Sequence, residues 1–542
     1  MSIQIINTSI STTAAGDHAI DVTSAGDVVL VQADRVAAAS GAGARGIYAT
    51  AGSVDVTVSG TVAAQLAEAI LLASDDNSVT IGINGTVLSG AAAGVAFSGV
   101  GNQLTNDGIL QSGSFGLWVT GSGMFVNNGA ITAVGPGALL QDFANSTLVN
   151  TGTINADLPG VRLGGDGSLV QNSGTVISAD YAVDFSDSAP GARNTLTNSG
   201  FLSGQSGAFL GGDADDTVRT GGVMGGAIDT GGGADEVLVT GGLVDGDIRT
   251  GTGADVVRLT GGTVAGSVDA GDGADTLDLR GGTVAGTVSG GDGGDLYIVG
   301  GAGITISEQS GGGHDTVHSS VDHALADHVE DLVLTGGSDL SGAGTDWQNV
   351  IAGNAGNNRL DGQGSRDTIA GGAGNDTIDS GRGNDIVDAE AGDDRVAGRA
   401  GNDNLTGGEG DDLLFGGIGR DNLFGDDGDD TLKGGGGQDD MTGGAGPDVF
   451  VFTRVTDSLP GTEDVITDFN PGEDLLDFGG LVQGQLVLSL LGSYTPGQPS
   501  LRTSETLGGD TLLWADADGD GSVDMRVVLT GMTGLGESDF LL

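Results

Sequence analysis

The chain has 542 residues, of which 108 are glycine and none is cysteine, and its formal net charge is −56. A polyanion of this strength repels phosphate backbones, which argues against a nucleic-acid partner. The missing thiols exclude disulfides and soft-metal ligands, and no run of 18 apolar residues is present to cross a membrane. Charge is unevenly placed: residues 1–200 hold 15 acids and 4 arginines, net −11, so −45 falls on the remainder. The opening MSIQIINTSISTTAAGDHAI has neither the basic start nor the apolar run of a cleavable signal peptide.

Residues 1–200 carry a loose period. Asn/Ser-x-Gly followed by β-branched or apolar residues recurs as SGTV at 59, NGTV at 84, NDGIL at 106, NNGAI at 127, NTGTI at 150, NSGTV at 172 and NSGFL at 198. The glycines lie 21 to 26 residues apart, which is the length of one coil of a parallel β-solenoid. This part resembles the passenger domains of bacterial adhesins and autotransporters. LAEAILLA (66–73) reads as a single helical turn within it.

Residues 201–300 repeat every 20, as in GGLVDGDIRTGTGADVVRLT (241–260) and GGTVAGSVDAGDGADTLDLR (261–280). Each unit has one GxGAD-type corner, which predicts a ladder of Asp235, Asp255, Asp275 and Asp295, preceded by Asp216. Two readings account for these acids: calcium ligands, or metal-free corners whose Asp accepts from loop amides. Residues 301–352 form a connector of strands and a short helix.

Residues 353–451 are eleven nonapeptides without insertion or deletion, the best being GGAGNDTID (371–379), GGEGDDLLF (407–415) and GGIGRDNLF (416–424). The form is G-G-x-G-x-D-x-U-x, with U apolar. Glycines at the first, second and fourth positions are expected to take positive φ and turn the backbone so that carbonyls point at one spot. Two nonapeptides make a coil of 18 residues, and equivalent loops stack about 4.8 Å apart. One edge then carries Asn358, Asp376, Asp394, Asp412, Asp430 and Asp448, and the other Asp367, Asp385, Asp403, Asp421 and Asp439. Residues two places after each Asp, from Ile369 to Phe450, face inward.

This run resembles the RTX, or hemolysin-type, calcium-binding repeats, and the resemblance extends over roughly the C-terminal 60% of the chain. In that family each ion sits between two stacked loops. Carried onto this sequence, a site takes the carbonyls of Gly372 and Gly374 with Asp376, and those of Ala389 and Ala391 with Asp394. Gly408 and Gly410, and Gly417 and Gly419, are the equivalent donors further along. Asn358 and Ser365 depart from the pattern, as does AEAGDDRVA (389–397), which lacks both leading glycines. The resemblance implies several Ca²⁺ ions as cofactor, folding on calcium outside the cell, and type I export from a Gram-negative bacterium.

Residues 452–542 resemble the serralysin C-terminal domain through VFVFTRVTDSLPGTEDVITDFNPGEDLLDF (449–478), and are expected to form a β cap that carries the export information. Asp516-Ala-Asp518-Gly-Asp520-Gly521 begins like a DxDxDG calcium loop, but Val527 stands where such a loop has Glu. Asp539-Phe540-Leu541-Leu542 reads both as a terminal strand and as the acidic-then-apolar ending of serralysin-like proteins.

Enzymatic motifs are thin. His314-Asp315-Thr316-Val317-His318 has the spacing of a zinc helix but lies in a β-branched segment between glycine turns, and no GxSxG is present. The expectation is an all-β protein: a right-handed parallel β-solenoid, a calcium-binding parallel β-roll and a β cap. The expected role is a secreted, extracellular or surface-bound structural or adhesive protein, with calcium, the type I secretion machinery and glycans as partners. An epimerase- or lyase-type β-helix enzyme acting on polysaccharide, and an S-layer-like lattice protein, are the alternatives.

Overall fold

The computed structural model describes residues 3–141, 145–301, 303–482, 485–490 and 497–542. Among them the chain is all-β, with two short 3-10 turns and no α-helix. It divides into two compact units, residues 1–296 with 303–307, and residues 297–302 with 308–542.

The first unit is a parallel solenoid. Each of its earlier coils contributes three strands, as in Ser78–Ile81, Thr86–Ser89 and Val95–Ser98, and each strand pairs with its equivalent one coil away. Alternation along a strand sends every second side chain inward. The inward column Val56, Val79, Leu104, Phe125, Leu148, Val170, Leu196, Val218, Val237 is held in register and fully buried. Each such side chain contributes about 1.5–3 kcal/mol by leaving water. From residue 236 the coil shortens to 20 residues, and two former strands fuse into one bent strand, Glu236–Val244 paired with Val256–Val264 through a bulge at Thr240. The segment 66–73 contains no helical turn. It holds the strand Ile70–Leu72, paired with Ile47–Ala49 and Val95–Phe97. Stacking between neighbouring coils overrides its local helix propensity.

The second unit contains the nonapeptides, with two strands per coil. Thr368–Ala373, Ile386–Ala391, Asn404–Glu409, Asn422–Asp427 and Asp440–Ala445 stack in one parallel sheet. Arg359–Asp361, Thr377–Asp379, Arg395–Ala400, Leu413–Gly419, Thr431–Gly437 and Val449–Val451 stack in the other. The expected inward residues, Ile369 through Phe450, are all at most 1% exposed. The segment expected to be a connector joins the same stack: Thr316–Ser319, Asp331–Leu334 and Val350–Ala352 pair in succession and lead onto Thr368. Among its described residues no helix forms. Beyond the roll, Ser500–Glu505, Thr511–Asp516 and Met525–Leu529 form an antiparallel meander. It is tied to the roll through Asp464–Ile466, which pairs with Met525–Leu529 on one side and the last nonapeptide strand of its sheet on the other. Leu475–Asp477 and Phe540–Leu541 continue the second sheet, so the acidic-then-apolar segment is a strand in the folded protein.

Candidate metal centre

Most corners of the roll are built by two residues of a nonapeptide in the left-handed region, Asn354, Gly356 and Gly437 being the exceptions. The second and fourth positions take positive φ, for example Gly372 (106°), Gly374 (103°), Gly408 (119°), Gly410 (130°), Gly417 (119°) and Gly419 (153°). Where the pattern lacks glycine the conformation persists: Gln363, Ser365, Glu390, Arg399 and Asp426 all hold φ between 69° and 73°. The first glycine corrects the sequence reading, because it does not adopt positive φ. It is glycine for want of space: a Cβ on Gly416 would lie 2.5 Å from Asp421 Oδ2 and 2.5 Å from the Gly434 carbonyl one coil later. A Cβ on Gly371 would likewise meet Asp376 Oδ2 at 2.7 Å and the Ala389 carbonyl at 2.5 Å. A carboxylate oxygen and a carbonyl oxygen from successive coils therefore border one small space. Ala391, the other carbonyl expected at that site, accepts from the Gly374 amide at 2.8 Å.

The aspartates form the two expected ladders, and both run further than expected. On one edge the amides of Asn358, Asp376, Asp394, Asp412 and Asp430 each donate to Oδ1 of the Asp one coil later, at 2.6–3.0 Å, ending at Asp448. On the other edge Asp367, Asp385, Asp403 and Asp421 do the same toward Asp439, at 2.9 Å. Asn349 precedes this second ladder at 2.8 Å, and Asp464 and Asp474 extend the two ladders into the cap. The signal for the last two was present in the sequence: Asp464-Val-Ile466 and Asp474-Leu-Leu476 repeat the Asp-x-apolar core of the nonapeptide, but 25 and 26 residues on instead of 18.

Apart from Asp474, whose Oδ2 accepts from the Asn470 amide, only one carboxylate oxygen of each ladder Asp is used. Oδ2 of Asp367, Asp376, Asp385, Asp394, Asp403, Asp412, Asp421, Asp430, Asp439, Asp448 and Asp464 is buried with no hydrogen-bond partner. A buried anionic oxygen without a partner is costly. Burial, helped by the neighbouring carboxylates of the ladder, pushes Asp394, Asp403, Asp430, Asp439 and Asp448 up from 3.8 to about 7, and Asp464 to about 9. The corners of the 20-residue repeats share the arrangement. The amides of Asp216, Asp235, Asp255 and Asp275 donate to Oδ1 of the next Asp at 2.7–2.8 Å, ending at Asp295. Oδ2 of Asp216, Asp235, Asp255 and Asp275 is again buried and unbonded.

Earlier corners of the same column supply the contrast. Val54, Asn77 and Ser168 donate to the side-chain oxygens of Asn77, Asn102 and Asn194 at 3.0–3.1 Å, just as the aspartates do. There the second atom is Nδ2, and it is always partnered: Asn77 with the Ser74 carbonyl, Asn102 with the Gly99 carbonyl, Asn194 with Ser188 Oγ. A neutral amide closes this corner unaided, whereas a carboxylate leaves one oxygen over. All-oxygen donors carrying negative charge, packed too tightly for a side chain, suit a hard cation such as calcium.

In the cap, Asp516, Asp518 and Asp524 bring carboxylate oxygens within 4.8 Å of one another. Asp520 stands apart from this group, its carboxylate accepting from Ser522. Both oxygens of Asp516 accept loop amides, from Gly519 and Gly521. This loop closes itself, unlike the ladders. His314 and His318 lie on or beside the strand Thr316–Ser319, and His314 Nε2 is 3.1 Å from Asp331.

Comparison with known proteins bears on this geometry. A family model described as peptidase M10 serralysin C terminal matches residues 183–542. A search of curated proteins returns no match. Among solved structures, the chain is similar to the solution structure of the AlgE6R3 subunit from the Azotobacter vinelandii mannuronan C5-epimerase. The identity is 32%, the match covers 26% of this chain and 78% of that one, and the TM-score is 0.22.

Proposed function

The chain belongs to the peptidase M10 serralysin C-terminal family over residues 183–542, and on that premise we propose that it is a secreted protein whose repeats fold on calcium outside the cell to make a structural or adhesive surface. The family's RTX-type repeats imply calcium binding. The observation that carries the reading for this chain is the row of buried, partnerless Oδ2 atoms at successive corners. Bound calcium would supply positive charge and open coordination positions to those oxygens. The chain's own part is to hold Asp376, Asp394, Asp412, Asp430 and Asp448 on one edge and Asp367, Asp385, Asp403, Asp421 and Asp439 on the other, each fixed through Oδ1. Positive φ at Gly372, Gly374, Gly408, Gly410, Gly417 and Gly419 turns the backbone around each acid. Asp216, Asp235, Asp255 and Asp275 are proposed as a further row on the same grounds.

Before calcium is met, repulsion among acids that make up most of the −56 charge keeps the repeats extended, as export through a narrow channel requires. Calcium outside the cell removes that repulsion, and binding to the folded form alone becomes folding free energy. Export by the type I route and a surface or matrix location rest on the family resemblance.

The test is a calcium titration of the full chain followed by circular dichroism. Replacing Asp394, Asp412 and Asp430 by Ala should raise the calcium midpoint on the order of tenfold or more, since affinity follows ligand charge count. Replacing Asp393, Asp411 and Asp429, which are exposed and join only an outer amide ladder, should move it little. Equal effects would overturn the assignment.

A further inference from the structure

The second sheet of the roll presents outward a strip whose charge is opposite to that of the chain as a whole. An open groove of about 600 Å³ is bordered by Arg359, Arg395, Arg399, Phe415, Ile418 and Arg454. An adjoining groove of about 440 Å³ shares Phe415, Ile418 and Arg454 and adds Lys433. Five of the 18 cationic residues in the chain thus meet on one face of one sheet. Two are already engaged: Arg399 is paired with Asp379, and Lys433 lies 3.7 Å from Asp457. Arg359, Arg395 and Arg454 are exposed, and among the described residues none of them has an ion-pair partner. In a protein with 74 acids, three convergent arginines left without a carboxylate are not explained by stability.

The register gives the strip a direction. Arg359, Thr377, Arg395, Leu413 and Thr431 occupy the same outward position on five successive strands. Asp361, Asp379, Ala397, Phe415 and Lys433 form the parallel column beside them. At about 4.8 Å per strand the first column spans about 19 Å along the stacking direction. Guanidinium and hydroxyl alternate along its first three members, and Arg395 lies over the ring of Phe415 in the neighbouring column at 4.6 Å. Ile418 beside the ring is 72% exposed.

We propose that this strip binds an acidic polysaccharide, a chain of carboxylate-bearing sugars lying along the roll. Arginine forks match carboxylates in bidentate fashion, threonine hydroxyls offer donors and acceptors to sugar hydroxyls, and Phe415 with Ile418 supplies an apolar face for sugar C–H groups. A strip of this length fits a polymer of repeating anions better than a single small anion. A nucleic acid fits less well, because its denser phosphate charge would meet the acidic ladders at both edges of the sheet.

The inference names the ligand class for the adhesive role proposed above, and it uses a face of the sheet distinct from the calcium corners. The test is calorimetric titration of the calcium-loaded full chain with glucuronate-containing oligosaccharides (hyaluronan fragments), beside neutral cello-oligosaccharides and single-stranded oligonucleotides. The acidic sugar should bind, more weakly as salt is added, and the neutral sugar should not. Arg395→Ala with Arg454→Ala should weaken binding about tenfold or more while the calcium-induced dichroism change stays as in the wild type. Arg395→Lys, which keeps charge but loses the fork, should fall between. Unchanged binding by the double variant, tighter binding of the oligonucleotide, or no binding by a chain that has folded on calcium would overturn the proposal. A chain that folds without calcium and still binds the acidic sugar through these arginines would support the strip while overturning the calcium reading.

Discussion

At each corner the decisive choice is between an amide and a carboxylate. Asn77 and Asp235 stand in one column and accept the same kind of backbone hydrogen bond, but the leftover atom of Asn77 has a partner and that of Asp235 has none. The consequence for pH follows from the raised acids. In metal-free protein burial raises the ladder aspartates above their ordinary 3.8, Asp394, Asp430 and Asp448 to about 7. A folded state that holds extra protons between those values gains stability as pH falls. In excess chelator the β signal of the full chain should therefore be larger at pH 5 than at pH 8. With calcium present the order should invert, because protons compete for the ligands and the calcium midpoint should rise on acidification. Dichroism at both pH values checks both statements. The first glycine of the nonapeptide gives a second expectation. Gly416→Ala would push a Cβ against Asp421 Oδ2 and the Gly434 carbonyl, costing about 1–3 kcal/mol as overpacking does. Gly337→Ala, which meets nothing within 4 Å, should leave the melting temperature almost unchanged. Sequence pattern had shown that glycine belongs at that first position, but it could not separate a φ requirement from a lack of space, because only the neighbouring coil supplies the obstructing atoms.

Strands that repeat in register turn single side chains into columns, and five of the seven Asn/Ser-x-Gly marks of residues 1–200, from NDGIL at 106 onward, prove to be one of these. Asn106, Asn127, Asn150, Asn172 and Asn198 are buried, and Nδ2 of each of the first four donates to the next Oδ1 at 2.7–2.8 Å. Periodicity located this column, though the polar residue was read only as turn punctuation. Its role as a buried hydrogen-bonded stack depends on which side the strand presents to the core. Asn150→Leu would strand Oδ1 of Asn172 and leave Nδ2 of Asn127 only its longer bonds to the Gly129 and Thr153 carbonyls, and should destabilise the first unit by about 1–3 kcal/mol. Thr151→Ala, which removes an exposed bond to Asn128, should cost far less in the same melting experiment. Elements with strong local signals were legible in advance, above all the nonapeptides with their 18-residue coil. What escaped was decided by stacking: the strand at 70–72, the place of the expected connector strands within the continuous stack, and the cap residues Asp464 and Asp474, whose spacing breaks the repeat.

For the molecule as a whole, the change of corner residue divides the chain by what stabilises it. Coils whose corners are Asn77, Asn102 or Asn194 are closed by their own hydrogen bonds and apolar columns. From Asp216 to Asp275, and again from Asp367 to Asp464, the ladder aspartates add buried carboxylate oxygens that the protein alone leaves unmatched. The matched family region begins at residue 183, shortly before this change. Metal dependence should accordingly be regional and not global. The most direct measurement is amide hydrogen exchange on the full chain, in millimolar calcium and in excess chelator, resolved by peptide. The account predicts that amides in 353–451 are protected in calcium and lose that protection in chelator, while amides in the coils of residues 45–200 stay protected in both. Equal protection of 353–451 in chelator and in calcium would contradict it.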